Sequence, residues 1–143
     1  GLLVFGRVTY EGMASYWPTA EAAEEDPQIT AYMNETPKLV ASRTLTGAEW
    51  QNTEVAADIV GELTRRKQAD PRPIYVFGSA ELTHSLLEAG LVDEILIGIA
   101  PVILGAGTPL FKPSPEHRRL TLLEARVVDT GGVVLRYAAD SSA

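Results

Sequence analysis

The chain reads as an α/β protein, with a mostly parallel sheet and an antiparallel C-terminal edge. Three observations predict it. Short, uniformly apolar runs alternate with segments of helical period. At Phe5-Gly6-Arg7, Ala41-Ser42-Arg43 and Phe77-Gly78-Ser79 an apolar run passes almost without a loop into the next element. Near the end, two strand-like runs flank Gly131-Gly132, which predicts a hairpin with a tight primed turn.

Each element has its own local signal. Leu2 to Phe5 are too short and too evenly apolar for an amphipathic helix and read as a buried strand. Tyr10, Met13, Ala14 and Trp17 then share one helical face, ended by Pro18. "EAAEED" (21–26) reads as an acidic surface segment. Asp26-Pro27 forms an N-cap with proline at the first helical position, and Ile29, Tyr32 and Met33 give that helix a buried side. Lys38 to Ser42 form a strand after Pro37. The connection 43–55 is longer, with a short strand near 52–55. Ile59, Val60 and Leu63 mark a helix that "DPRP" (70–73) breaks. Ile74 to Phe77 are the next strand. Leu82, Leu86 and Ala89 mark its helix, which Gly90 stops. Ile95 to Ile99, apolar but for Gly98, read as a central strand. "APVILGAGTPLF" (100–111) reads as a strand-and-loop excursion, and Leu120 to Asp129 with Val133 to Ala138 make the hairpin.

Composition narrows the function. The 143 residues amount to about one domain, and a 45% hydrophobic content suffices for a core. A net charge of −7 argues against a nucleic-acid surface. The basic run "TRRKQ" (64–68) reads as a solvated helix face. With no cysteine there is neither a disulfide framework nor thiolate chemistry. No apolar run is long enough to span a membrane and no signal peptide is visible, so a cytoplasmic setting is expected. The chain opens inside an apolar run without an initiator Met, so further residues upstream are expected.

Chemistry concentrates at the three junctions. Each lies at the carboxyl end of a strand, where ligands bind in open parallel sheets. Gly6 and Gly78 would let the backbone approach a phosphate, and the helices beyond them offer free N–H groups. A helix dipole contributes only about 0.3–1 kcal/mol per charge, so side chains must add to it. Thr9 and Ser79 are hydroxyl donors; Arg7 and Arg43 are guanidinium forks that match phosphate. The two arginines favour a dinucleotide with an extra ribose phosphate, NADPH over NADH. The competing reading is structural: a lone Gly serves the turn and a lone Ser caps the helix. His84, His117, Trp17, Trp50 and the pair Asp93-Glu94 read as surface, packing or turn residues. No metal-ligating, Walker or nucleophile-elbow motif occurs.

Together, "LLVFGRVTYEGMASYWP", "PKLVASRTL", "IYVFGSAELTHSLLEAGLVDEI" and "APVILGAGTPLF" resemble the dihydrofolate-reductase-like superfamily. Within it they are most similar to the C-terminal reductase domain of the riboflavin-biosynthesis deaminase/reductase RibD, in its stand-alone bacterial form. The resemblance covers essentially all of residues 1–143. It implies a three-layer α/β/α fold with a twisted, mostly parallel sheet, a homodimer, and NADPH as hydride donor. Position by position, Gly6, Arg7 and Thr9 match the first cofactor loop. Ser42, Arg43 and Thr44 match the segment near the adenosine 2′-phosphate. Gly78, Ser79, Ala80, Glu81 and Leu82 match the diphosphate loop. The family begins with a strand and an "SLDG"-like segment that lines the nicotinamide and substrate pocket; nothing here matches it.

The expected function is that of an NADPH-dependent reductase acting on a small pyrimidine-type substrate. In the family the hydride goes to the ribosyl C1′ of 5-amino-6-(5-phosphoribosylamino)uracil, in riboflavin biosynthesis. The zinc deaminase signature is absent and no cysteine could hold its metal, so the chain would be reductase only. Two alternatives stand beside this: a dihydrofolate or pteridine reductase, and a non-catalytic NADPH-binding dimeric module. No residue is singled out as the proton donor.

Overall fold

The computed structural model describes residues 1–139. The chain divides into two compact units, Gly1–Ser85 and Leu86–Ala143.

The first unit is built on a parallel sheet. Its strands are β1 (Leu2–Gly6), β2 (Lys38–Ala41), β3 (Thr53–Ala56) and β4 (Ile74–Val76), in the order β3-β2-β1-β4. Leu3 to Gly6 pair with Lys38 to Ala41, and Lys38 to Ala41 in turn with Thr53 to Ala56. β1 leads by way of helices to β2 on one side, and β3 leads through a helix to β4 on the other. The topological switch point therefore lies between β1 and β4, where open α/β sheets hold their ligands. All five residues of β1 are buried, which is why that strand is continuously apolar.

Helices fill the connections. α1 (Arg7–Tyr16) continues directly from β1. α2 (Ala20–Glu25) bears out the acidic surface segment expected at 21–26, with Glu21, Glu24 and Glu25 exposed, and adds an unexpected helix there. Thr19 caps the helix by accepting the Ala22 N–H, and Ala22 is buried. Glutamate and alanine are strong helix formers, and the cap decides the segment in their favour. α3 (Pro27–Glu35) begins as expected, with Asp26 accepting the Ile29 N–H. Its buried side is Thr30 and Met33, however, while Ile29 and Tyr32 are exposed. The Thr30 hydroxyl donates to the Ala22 carbonyl at 2.8 Å, so the contact with α2 sets which face turns inward. α4 (Ile59–Ala69) carries the basic run. Glu62 accepts from Arg65 and Arg66, and Arg66 also reaches Glu54, so the run is a solvated, ion-paired face.

The core gathers Leu3, Phe5, Tyr10, Met33, Val40 and Trp50. The Phe5 ring lies 5.9 Å from Trp50 and 5.4 Å from Phe77. Trp50 is a packing residue, as expected. Its indole N–H donates to Asn34 Oδ1 at 2.8 Å, and Asn34 Nδ2 donates to the Trp17 carbonyl at 3.0 Å. Lys38 is the unexpected member of this region, only 1% exposed. Its Nζ donates to the Asn34 and Thr36 carbonyls at 3.0 and 2.7 Å and lies 4.5 Å from the Trp50 ring centroid. The ammonium thus serves the carbonyl end of α3, where a cation is favoured. Burial nevertheless pushes its pKa down to about 8.

The boundary between the units falls within α5 (Ala80–Glu88), whose buried residues are Leu82 and Leu86. The second unit holds an antiparallel sheet of β5 (Glu94–Ile99), β6 (Leu120–Val127) and β7 (Val133–Ala139), ordered β5-β7-β6. The mixed α/β class is as expected, with two separate corrections of detail. Ile95–Ile99 is not a central strand of the parallel sheet but an antiparallel edge strand on β7, with Leu96 and Ile99 exposed. Even apolarity says that a strand favours burial, not which partner it takes. Residues 100–119 contain no strand.

The hairpin turn also differs from expectation. Gly131 N–H donates to the Val128 carbonyl and Val128 N–H to the Gly132 carbonyl, both at 3.0 Å. This is a three-residue loop with Gly131 at φ +88°, not a two-residue turn centred on both glycines. Gly132 is needed for another reason: a Cβ there would lie 2.9 Å from the Ile99 carbonyl oxygen.

Candidate active site

A cleft of about 560 Å³ opens where the parallel strands end. Gly6 closes β1, Ala41 closes β2, Asp58 lies just past β3 and Ser79 just past β4, and all four line it. Of the residues chosen from sequence, Gly6, Arg7, Ser42, Arg43, Thr44, Ser79, Glu81 and Leu82 line this cleft. Thr9, Gly78 and Ala80 do not. Thr9 stands beside Gly78, with its hydroxyl 3.8 Å from where a Gly78 Cβ would be.

The first and third junctions touch. Gly6 N–H donates to the Gly78 carbonyl at 2.7 Å. A Cβ on Gly6 would sit 3.2 Å from the Ser79 backbone nitrogen. Gly6 is thus glycine to let a second loop approach its backbone. The peptide between Gly78 and Ser79 is cis, and Gly78 has φ +116°, a conformation that favours glycine.

Hydrogen-bond capacity is unevenly spent. Side chains cap α2, α3 and α4 through Thr19, Asp26 and Asp58, whereas α1 has no side-chain cap. No side chain therefore satisfies its first N–H groups. Ser42 Oγ accepts from the Thr44 and Leu45 N–H groups at 3.2 and 3.0 Å, so it shapes its own turn. Arg7 is held by Glu11 at 2.9 Å. Arg43 is exposed and has no ion-pair partner among the described residues. It is the cation of this cleft left free for an anionic ligand. Two carboxylates, Asp58 and Glu81, share the cleft.

Sequence reasoning misses the wall made by Asp58, Ile59 and Val60 at the start of α4. The signal is present. "VAADIV" (55–60) is a fourth strand-to-helix junction, but it lacks the glycine or serine that marks the others. A larger open groove, about 730 Å³, runs along β3 past Glu54, Asp58 and Glu62. Its glutamates are already engaged by Arg65 and Arg66, and it meets the end of β3 alone. The cleft at the joint ends of all four strands is the better site.

Fold and cleft define a class: an α/β protein with an open cleft at the carboxyl ends of a parallel sheet. Residues 2–134 match the RibD C-terminal domain, and the chain belongs to that family. It is 27% identical over 135 residues to the uncharacterised protein YyaP of Bacillus subtilis (strain 168), covering 94% of this chain and 72% of that one. A shorter match, 36% over 58 residues, joins it to uncharacterised YwjB of the same organism, over 41% of this chain and 33% of that one. Two crystal structures share the fold. A Shewanella sp. PV-4 protein named for riboflavin biosynthesis matches with TM-score 0.74 and 21% identity, over 97% of this chain and 73% of that one. A pyrimidine reductase-like protein of Corynebacterium diphtheriae matches with TM-score 0.64 and 14% identity, over 99% and 76%. No helix among the described residues is long and apolar enough to cross a membrane.

Proposed function

We propose that the chain is an NADPH-dependent reductase of the RibD C-terminal type. The observation that carries this is the meeting of four strand ends in one cleft that holds an unpaired Arg43 and the uncapped start of α1. The cleft's volume is within the range of small-molecule sites, and its donors suit phosphate. Arg43, Ser42 and Thr44 would hold the adenosine 2′-phosphate. Gly6, Arg7, Thr9, Gly78, Ser79, Ala80, Glu81 and Leu82 form the joined loops that would hold the diphosphate. NADPH bound there would supply a hydride to the ribosyl C1′ of a pyrimidine-type substrate. The chain's own part is to fix the cofactor relative to that substrate, the entropic share of catalysis.

Calorimetric titration tests the assignment. NADPH is expected to bind at least about tenfold more tightly than NADH, or about 1.4 kcal/mol. Arg43→Gln should remove most of that difference while leaving NADH affinity nearly unchanged, because only the 2′-phosphate needs the fork. Equal dissociation constants in the wild type would overturn the 2′-phosphate assignment. Loss of reduced-nicotinamide absorbance with a pyrimidine ribosylamine, and none with dihydrofolate, separates the proposed reaction from its pterin alternative. Binding without turnover on either would leave a cofactor module.

The same reading includes a homodimer. Leu96, Ile99, Val102, Ile103 and Leu104 are all more than half exposed in the second unit, more apolar surface than a solitary subunit ordinarily shows. Light scattering at micromolar concentration should give twice the chain mass, and a monomer at all concentrations would refute it.

A further inference from the structure

Arg43 and Asp58 occupy equivalent places just past the ends of neighbouring strands. Ala41 and Ala56 are register partners at the ends of β2 and β3, and each charged residue lies two positions beyond its partner. The Ser42 N–H donates to the Ala56 carbonyl at 3.1 Å, so the strands stay joined as they enter the cleft. Adjacent strands are about 4.8 Å apart. Yet the two charges form no ion pair, and both line the same cleft.

The Asp58 carboxylate is held in a definite way. Oδ1 accepts the Gly61 N–H at 3.1 Å and caps α4. Oδ2 lies in the space that a Gly61 Cβ would take. No side chain or N–H of the described residues donates to Oδ2. Its lone pairs are open to a hydroxyl donor, and its charge opposes a phosphate.

We propose that Asp58 is a specificity-determining residue of this cleft, which accepts a ribose hydroxyl and repels a ribose phosphate, and so limits the preference that Arg43 creates for NADPH. This rests on the cofactor reading above. A 2′-hydroxyl meets an acceptor at Asp58 and a 2′-phosphate meets a like charge. The two residues act as opposed levers on one ratio, the affinity for NADPH over that for NADH.

Asp58→Asn is the test, because asparagine caps a helix about as well as aspartate. The melting temperature should therefore hold, while titration should show NADPH binding more tightly and NADH more weakly. The ratio is expected to rise about fivefold to tenfold and the change to shrink in high salt, as exposed charges are screened. Asp58→Ser, also a good cap, gives the same reading should the first variant be poorly folded. A ratio that stays within about twofold in both folded variants overturns the inference and leaves Asp58 a cap only. Wild-type protein that binds neither nucleotide overturns the cofactor reading and this inference with it.

Discussion

Gly6→Val is expected to be the most damaging single change in the cleft. A Cβ at this position meets the Ser79 backbone nitrogen at 3.2 Å and the Gly78 carbonyl oxygen at 3.4 Å. Neither is the movable end of a side chain, so the backbone of the second loop must give by a few tenths of an ångström. That shift stretches the Gly6 N–H to Gly78 carbonyl bond, 2.7 Å long, and strains a buried strand end. Overpacking of this kind costs about 1–3 kcal/mol. Cofactor affinity should fall at least about tenfold, because the proposed diphosphate site is made of these two loops. Thermal melting with and without NADPH checks both parts. A variant that keeps wild-type stability and a wild-type NADPH-induced rise would show that the contact between the junctions matters to neither.

Lys38 governs a second large effect, in stability against pH. Its folded-state pKa of about 8 lies below the unfolded value of about 10.4. Between these values the unfolded chain holds more protons than the folded one, so stability rises with pH. Below pH 8 both states are protonated and the cost of burying the ammonium is fully present. Unfolding in urea from pH 7.5 to 9.5 should show a gain of up to about 2 kcal/mol. Lys38→Met should abolish the slope. A wild-type profile that is flat over this range would mean that the Asn34 and Thr36 carbonyls and the Trp50 ring compensate the charge entirely.

The parallel unit is largely legible in the sequence because its signals are local. Proline at the start of α3, the breakers at 70–73 and the continuous apolarity of β1 each report on their own segment. The junctions are legible too, since glycine or serine between a strand and a helix has few explanations. Less legible is anything set by a partner. Thr30 rather than Ile29 faces inward because of the Ala22 carbonyl, which lies in a different helix. Gly6 reads in sequence as making way for a phosphate, whereas the atoms that need its space belong to Gly78 and Ser79. Nothing in the sequence marks the Gly61 N–H as the donor that the Asp58 carboxylate accepts. Lys38 is buried by α3 and Trp50, and no pattern of its neighbours marks a strand lysine for burial. Ile95–Ile99 shows the same limit for a whole strand, as its apolar run is compatible with either kind of sheet.

The amide of Asn34 has an optical consequence. The chain's two tryptophans, Trp17 and Trp50, both hydrogen-bond to it, one through its backbone carbonyl and one through its indole. Each indole also has a quencher or polariser at hand: Trp17 donates to the Met13 sulfur at 3.2 Å, and Trp50 lies under the Lys38 ammonium. Tryptophan emission therefore samples one neighbourhood, where α3 meets the start of β2. It reports the fate of the parallel unit and is silent about the antiparallel one, which contains no indole. Fluorescence and far-ultraviolet dichroism thus view different portions of the molecule, and any gap between their transitions measures how independently the two units melt.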